Sequence, residues 1–314
     1  MPDRNTSKTP GGADREDSAA DQDSTRRPTF SIVVTAPKGI ACCLLPAWLI
    51  AKADGVRIEI IVADGIADAP NRSTAGLKHL DFAGDHVFAL RRKGLLHARN
   101  DWVVLLEDHA APFPDFLDEF EKAIASHPEA DLISGAAVNE TSTTPASWSH
   151  FLTTAYMFWP PSRRNPRGAS ITLLAIRRTA LAGWEMEHDG GFEIRLLRRI
   201  VRSGRHVHCE TALANHIQEN TLFAHCAAQF HNARCHSVFQ RQLGRSRMAS
   251  LVTESIWFVY ATTIRPLRVM RDIHRTPQFQ ISHLPRLIVL GLAMGLGRLR
   301  GLWGNVGQSP YALD

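Results

Sequence analysis

Cysteine is scarce in this 314-residue sequence, five in all: Cys42, Cys43, Cys209, Cys226 and Cys235. None stands in a Cys-x-x-Cys pair, so neither a disulfide framework nor a standard structural zinc module follows. Long hydrophobic runs are missing too. The most apolar stretches, SLVTESIWFVYATTI (250–264) and LPRLIVLGLAMGLGRLRGLWG (284–304), fall short of the roughly 20 apolar residues of a simple membrane span. No apolar leader opens the chain: residues 1–28 are polar and rich in Pro, Gly and Asp, which points to a disordered tail on a cytoplasmic protein. Acidic residues thin out towards the other end, where ten arginines between Arg241 and Arg300 face only Glu254 and Asp272. A basic tail suits nucleic acid or anionic lipid. Aromatic side chains are sparse along it, which sets nucleic acid aside, and its apolar neighbours favour peripheral contact with a membrane through snorkelling arginines. Two core helices of a soluble C-terminal unit explain the same pattern.

The remainder is ordinary globular composition, 44% hydrophobic and 21% charged with a net charge of +5. From residue 30 short apolar runs alternate with helical stretches, which predicts an α/β fold with a mostly parallel sheet flanked by helices. Strands are expected at 30–36, 56–65, 86–90, 101–108, 131–138 and 169–178. A first helix carries Leu44, Leu45, Trp48 and Leu49. Another starts after Pro114, capped by Asp115, with Phe116, Leu117, Phe120 and Ile124 on one face. The division reads as a tail (1–28), a domain over 29–245 and a basic, apolar helical region over 246–314.

One stretch is chemically pointed. In VVLLEDHAAPFPDFLDEF (103–120) an uninterrupted apolar run stops on Glu107, Asp108 and His109. A strand buried on both faces can place ionised groups only at its ends, and in open parallel sheets ligands sit at the carboxyl ends. Asp64, closing the second strand, belongs on the same edge. Alternate residues of an extended segment point the same way, so Glu107 and His109 can share one side. An oxygen and an imidazole, incomplete alone, suit Mn²⁺ or Mg²⁺ finishing its coordination on a substrate's phosphates. The same acids can instead cap the next helix or pair with Arg91, Arg92 or Arg99, and the spacing leaves both readings open.

FSIVVTA, then IIVADG, then WVVLLEDHAAPFPDFLDEF, in that order, resemble family 2 glycosyltransferases of the A-type (GT-A), Rossmann-like nucleotide-diphospho-sugar fold, over about residues 30–245. The resemblance implies that Thr35 and Asp64 lie at the donor's base, that Glu107, Asp108 and His109 organise metal and diphosphate, and that the donor is by default a UDP-sugar. His109 stands where a metal-binding Asp is usual, which implies weaker Mg²⁺ binding and loss of activity as the imidazole protonates. The segment RRKGLLHARN (91–100) is shorter than the family's; Arg91, Arg92 and Lys93 can supply positive charge for the diphosphate, but its arginines read first as solvated.

DGGFEIRLLRRIVRSGRHV (189–207) resembles the family's segment carrying the catalytic base, and places Glu193 on it. Asp189 and Glu187 are nearby substitutes. Ile194, Leu197, Ile200 and Val201 recur at helical spacing, so Glu193 falls in a first helical turn, where the helix dipole alone also favours a carboxylate. His216 corresponds to a histidine that in some A-type transferases reaches back to the metal. SWSHFLTTAYMFWPPSRRNPRG (147–168) offers aromatic faces for an acceptor wall, and core aromatics followed by a surface turn explain it equally well. The Gln-x-x-Arg-Trp signature of processive synthases is missing, which implies transfer of a single sugar. The expectation is an inverting, metal-dependent transferase acting at the inner membrane face on a glycan or lipid-linked acceptor. A protein that keeps the fold but has lost catalysis is the alternative.

Overall fold

The computed structural model describes residues 27–66, 76–140, 142–155, 158, 169–182, 192–242, 247–273 and 281–313. Residues 1–26 of the expected tail and most of the Pro-rich half of 147–168 lie outside them. Along the chain come β1 (Phe30–Ala36), a 3₁₀ turn (Ile40–Cys42), α1 (Ala47–Lys52), β2 (Ile58–Asp64), β3 (Leu77–Asp81), α2 (Val87–His97), β4 (Trp102–Glu107), β5 (Ala110–Pro112), α3 (Phe116–Ser126) and β6 (Leu132–Val138). There follow α4 (Pro145–Thr154), β7 (Leu173–Arg177), α5 (Phe192–Arg202), β8 (His206–His216), α6 (Leu222–Gln242), α7 (Arg247–Val259), a π turn (Tyr260–Ile264), α8 (Arg265–Ile273) and α9 (His283–Trp303).

The strands form one sheet in the order β3-β2-β1-β4-β7-β6-β8-β5. The pairs β1/β2, β1/β4, β2/β3 and β6/β8 are parallel, while β7 runs antiparallel to both neighbours and β5 to β8. The central strands are mostly apolar because helices cover both faces, with the buried Glu59 of β2 accepting from Ser31 of β1 at 2.6 Å. Their period of two divides them: Ile32, Val34, Ile60, Val62, Val104 and Leu106 pack with Phe116 and Phe120 of α3, whereas Val33, Ile61, Val103 and Leu105 meet Leu95 of α2 and Leu196, Leu197 and Ile200 of α5. Each such side chain contributes about 1.5–3 kcal/mol by leaving water.

Three expectations need correction. HVFAL (86–90) is not a strand but the start of α2, capped by His86, whose Nδ1 accepts from the Ala89 amide at 3.2 Å. A five-residue apolar run cannot be divided between strand and helix by periodicity. The third strand is instead LKHLD, an edge strand burying only His79 fully. The segment between β3 and β4 therefore spans 82–101 and includes α2, longer than 91–100. Asp115 occupies the N-cap of α3 without a side-chain capping bond, and Asp118 and Glu119 supply negative charge to the first turn.

α9 lies against α6, α7 and the π turn, and glycine permits the approach. A Cβ on Gly291 would stand 2.3 Å from the Ala261 carbonyl oxygen, and one on Gly297 2.1 Å from that of Phe230. Between α7 and α9, Arg298 donates to Glu254 at 2.7 Å and lies 3.9 Å above the Trp257 ring. Among the described residues no helix is long and apolar enough to cross a membrane.

Candidate metal centre

Strand register assembles the site. In β1/β4 Thr35 pairs with Glu107, and in β1/β2 Ala36 pairs with Asp64, so the C-terminal ends of three strands form one edge. Beyond Glu107 the chain turns through Asp108 and His109 into β5, whose Ala110 pairs with His216 of β8. The Ile217 amide donates to the His109 carbonyl at 2.9 Å. Two backbone ladders thus bring together residues separated by 107 positions.

Glu107, His109 and His216 are the one group of metal-ligating type found among the described residues. His109 Nε2 lies 3.1 Å from His216 Nε2. Glu107 Oε2 is 3.5 Å from the first and 3.7 Å from the second. Ligands at about 2.1 Å from an ion are about 3.0 Å apart when cis in an octahedron and about 3.4 Å apart in a tetrahedron. The three separations lie within a few tenths of an ångström of the tetrahedral value, slightly wider on the Glu107 side, and so fit a single divalent ion. Asp108 stands behind them: its Oδ1 accepts from His109 Nδ1 at 2.7 Å. That bond fixes the tautomer and leaves the Nε2 lone pair turned to the cluster. Thr172 donates to Glu107 Oε2 at 3.0 Å, and Arg91 lies 3.8 Å from Oε1.

Electrostatics follow from these neighbours. Burial pushes the Glu107 carboxyl up, but His109, His216, Arg91 and the Thr172 hydroxyl outweigh it and hold it below the usual range. Burial disfavours the charged His109, yet its bond to Asp108 and the Glu107 charge prevail and raise it. His216 goes the other way, down to about 4, because burial and the neighbouring His109 both oppose a second positive charge. At neutral pH His216 therefore offers a lone pair, as a metal ligand must.

The cluster opens into a cavity of about 400 Å³, also lined by Thr35, Lys38, Arg91, Gln229 and His236. The Thr35 hydroxyl is buried with no hydrogen-bond partner among the described residues. Asp64 takes a different place: it is fully buried, accepting from the Ile66 amide at 2.8 Å, the Ile40 amide at 3.0 Å and His79 Nε2 at 2.8 Å. It clasps the turn after β1 and the exit of β2. Arg91 corrects the expectation of a solvated arginine, being 5% exposed on the cavity side of α2. Its neighbourhood was hidden once α2 was taken for a strand. Glu193 lies in the first turn of α5, with its side chain outside the described residues, as are Asp189 and Glu187. His150 and His225 stack at 4.1 Å behind His216; the histidine-rich stretch 204–226 was the available signal for His225, and no sequence pattern pointed to His150.

No protein-family model matches the sequence, and no curated protein matches it. The fold has solved counterparts. The mannosyltransferase PcManGT from Pyrobaculum calidifontis, in complex with GDP-Man and Mn²⁺, matches with a TM-score of 0.54 at 13% identity, over 89% of this chain and 88% of that one. Glucosyl-3-phosphoglycerate synthase from Mycobacterium tuberculosis, in complex with phosphoglyceric acid, is similar at 15% identity over 63% of this chain and 75% of its own, with a TM-score of 0.41. The likeness is one of fold, and the chain has the A-type nucleotide-sugar transferase fold.

Proposed function

We propose that the chain is a metal-dependent glycosyltransferase that moves a single sugar, with inversion, from a nucleotide-diphospho-sugar to a hydroxyl acceptor. The observation that carries the reading is the convergence of Glu107 Oε2, His109 Nε2 and His216 Nε2 at the sheet edge beside a buried Thr35 hydroxyl that has no partner among the described residues. A solved protein of the same fold carries GDP-Man and Mn²⁺. Glu107, His109 and His216 would hold Mn²⁺ or Mg²⁺, which supplies charge stabilisation for a departing nucleoside diphosphate.

The chain's own residues do the rest. Asp108 orients His109 through Nδ1. Arg91, on the cavity side of α2, adds positive charge towards the diphosphate. Thr35 meets the nucleotide base, and Asp64 serves the same pocket by holding the Ile40 and Ile66 amides in place. Glu193, in the first turn of α5, takes the proton from the attacking hydroxyl as general base. A UDP-sugar is the default donor, and the acceptor is a glycan or lipid-linked molecule at the cytoplasmic face of the membrane.

Calorimetric titration of UDP and of GDP with Mn²⁺, with Mg²⁺ and with chelator tests this. Nucleotide binding that needs the ion and weakens in His109→Ala supports it. Binding indifferent to metal, or none under any condition, removes it. Glu193→Gln should abolish transfer and leave nucleotide binding intact.

A further inference from the structure

The outward side of α7, the π turn and the start of α8 carries a stripe of exposed aliphatic side chains. Val252, Ile256, Val259, Ile264 and Leu267 recur at intervals of three to five residues, each more than half exposed. α9, packed beside α7, turns Leu292, Leu296 and Trp303 outward as well. Scattered exposed aliphatics need no explanation, but two neighbouring stripes on adjoining helices do.

The charge around them is mainly positive. Glu254 is buried against Arg298, and the exposed Asp272 is paired with Arg271. Arg268 and Arg300 are also exposed on the same helices. We propose that this face docks on an anionic membrane surface, the aliphatic side chains entering the headgroup boundary while the arginines meet lipid phosphates. A second copy of the chain fits less well, because the same face on two copies would bring arginines against arginines. The absence of a crossing helix among the described residues fits helices that lie in the plane of the interface.

The face is also mechanically close to the cavity. The Arg265 guanidinium donates to the Thr153 carbonyl of α4, and the same helix contributes His150 and Thr154 to the cavity wall. The inference deepens the membrane-side acceptor proposed above and rests on it only for its purpose, since docking is read by lipid binding alone.

Vesicle flotation tests it, using phosphatidylcholine vesicles with and without phosphatidylglycerol. The protein should float with the anionic vesicles and be released as salt is raised. Val252→Ser/Ile256→Ser/Leu267→Ser should weaken that partition by more than about tenfold. Arg268→Gln/Arg300→Gln should weaken it by a similar factor on anionic vesicles. Mn²⁺-dependent UDP binding by the same variants should stay at the level of the parent protein, which shows them folded and separates failure of the docking face from failure of the metal site. Absence of the parent from anionic vesicles overturns the proposal, as does equal partition of parent and variants. A dimer that the triple-serine variant dissociates, with no lipid binding, would also overturn it in favour of a second copy.

Discussion

Asp108→Asn isolates the part of the metal centre that makes no ligand bond of its own. The Asp108 carboxylate receives His109 Nδ1–H at 2.7 Å, the length of a charge-assisted bond. Such bonds contribute about 1.5–3 kcal/mol against about 0.5–1.5 for neutral pairs, so an amide oxygen in the same place forfeits about 1–1.5 kcal/mol of orientation. That corresponds to Mn²⁺ affinity about five- to thirteenfold weaker, at or just below the lower end of the 10–100-fold range for lost outer partners of metal-bound histidines. Asp108→Ala, which frees the imidazole to rotate, belongs towards the upper end. A second effect opposes the first: Asp108 helps raise the pKa of His109, so its removal lessens proton competition for Nε2. The measurement belongs at about pH 8, where the proton competes least. Loss of the free-ion paramagnetic resonance signal on adding protein, without nucleotide, reads the affinity directly. If both variants bind Mn²⁺ within about twofold of the parent while His109→Ala abolishes binding, then Asp108 does not orient the ligand and the tautomer argument fails.

Two further outcomes follow from groups away from the centre. His206 bonds to Ser134 at 2.8 Å, and burial, with His208 nearby, lowers its pKa from 6.5 to about 4. Above pH 6.5 the imidazole is neutral whether folded or not. Between 6.5 and about 4 the unfolded chain takes the proton first, so stability is lost as pH falls, by at most about 1.4 kcal/mol per pH unit and less where solvent screens this partly exposed ring. Urea unfolding across that window should show the loss, and His206→Gln should flatten its share of it; an unchanged slope refutes the assignment. Gly297→Ala should destabilise the protein by about 1–3 kcal/mol, because its Cβ would meet the Phe230 carbonyl oxygen at 2.1 Å. A melting temperature equal to the parent's would mean that α9 does not press on α6.

The sequence revealed most where residue type and position argue together. The run ending at Glu107 had to leave the sheet at an edge, because nothing buried on both faces of β4 could accept the charge; the structure places Glu107 beside Thr35 for that reason. His109 followed from its alternation with Glu107, but His216 was not derivable in the same way. His216 reaches His109 only through the β5/β8 register, and β5 is three residues long, with no pattern of its own. Arg91 was misplaced through one local error. An apolar pentapeptide fits strand and helix equally, and what decided between them was the cap formed by the His86 ring, a contact that no periodicity encodes. The helix set a single arginine facing inward beside Glu107, while Arg92 and Lys93 share its segment. Asp64 shows the converse. Its position at a strand end was legible, but its three bonds come from β3 and from two turns, so the sequence placed the carboxylate on the edge without saying which groups it would hold. Secondary-structure pattern therefore locates charge at the rim of this fold, whereas the register of short strands and the caps of short helices decide which charges meet.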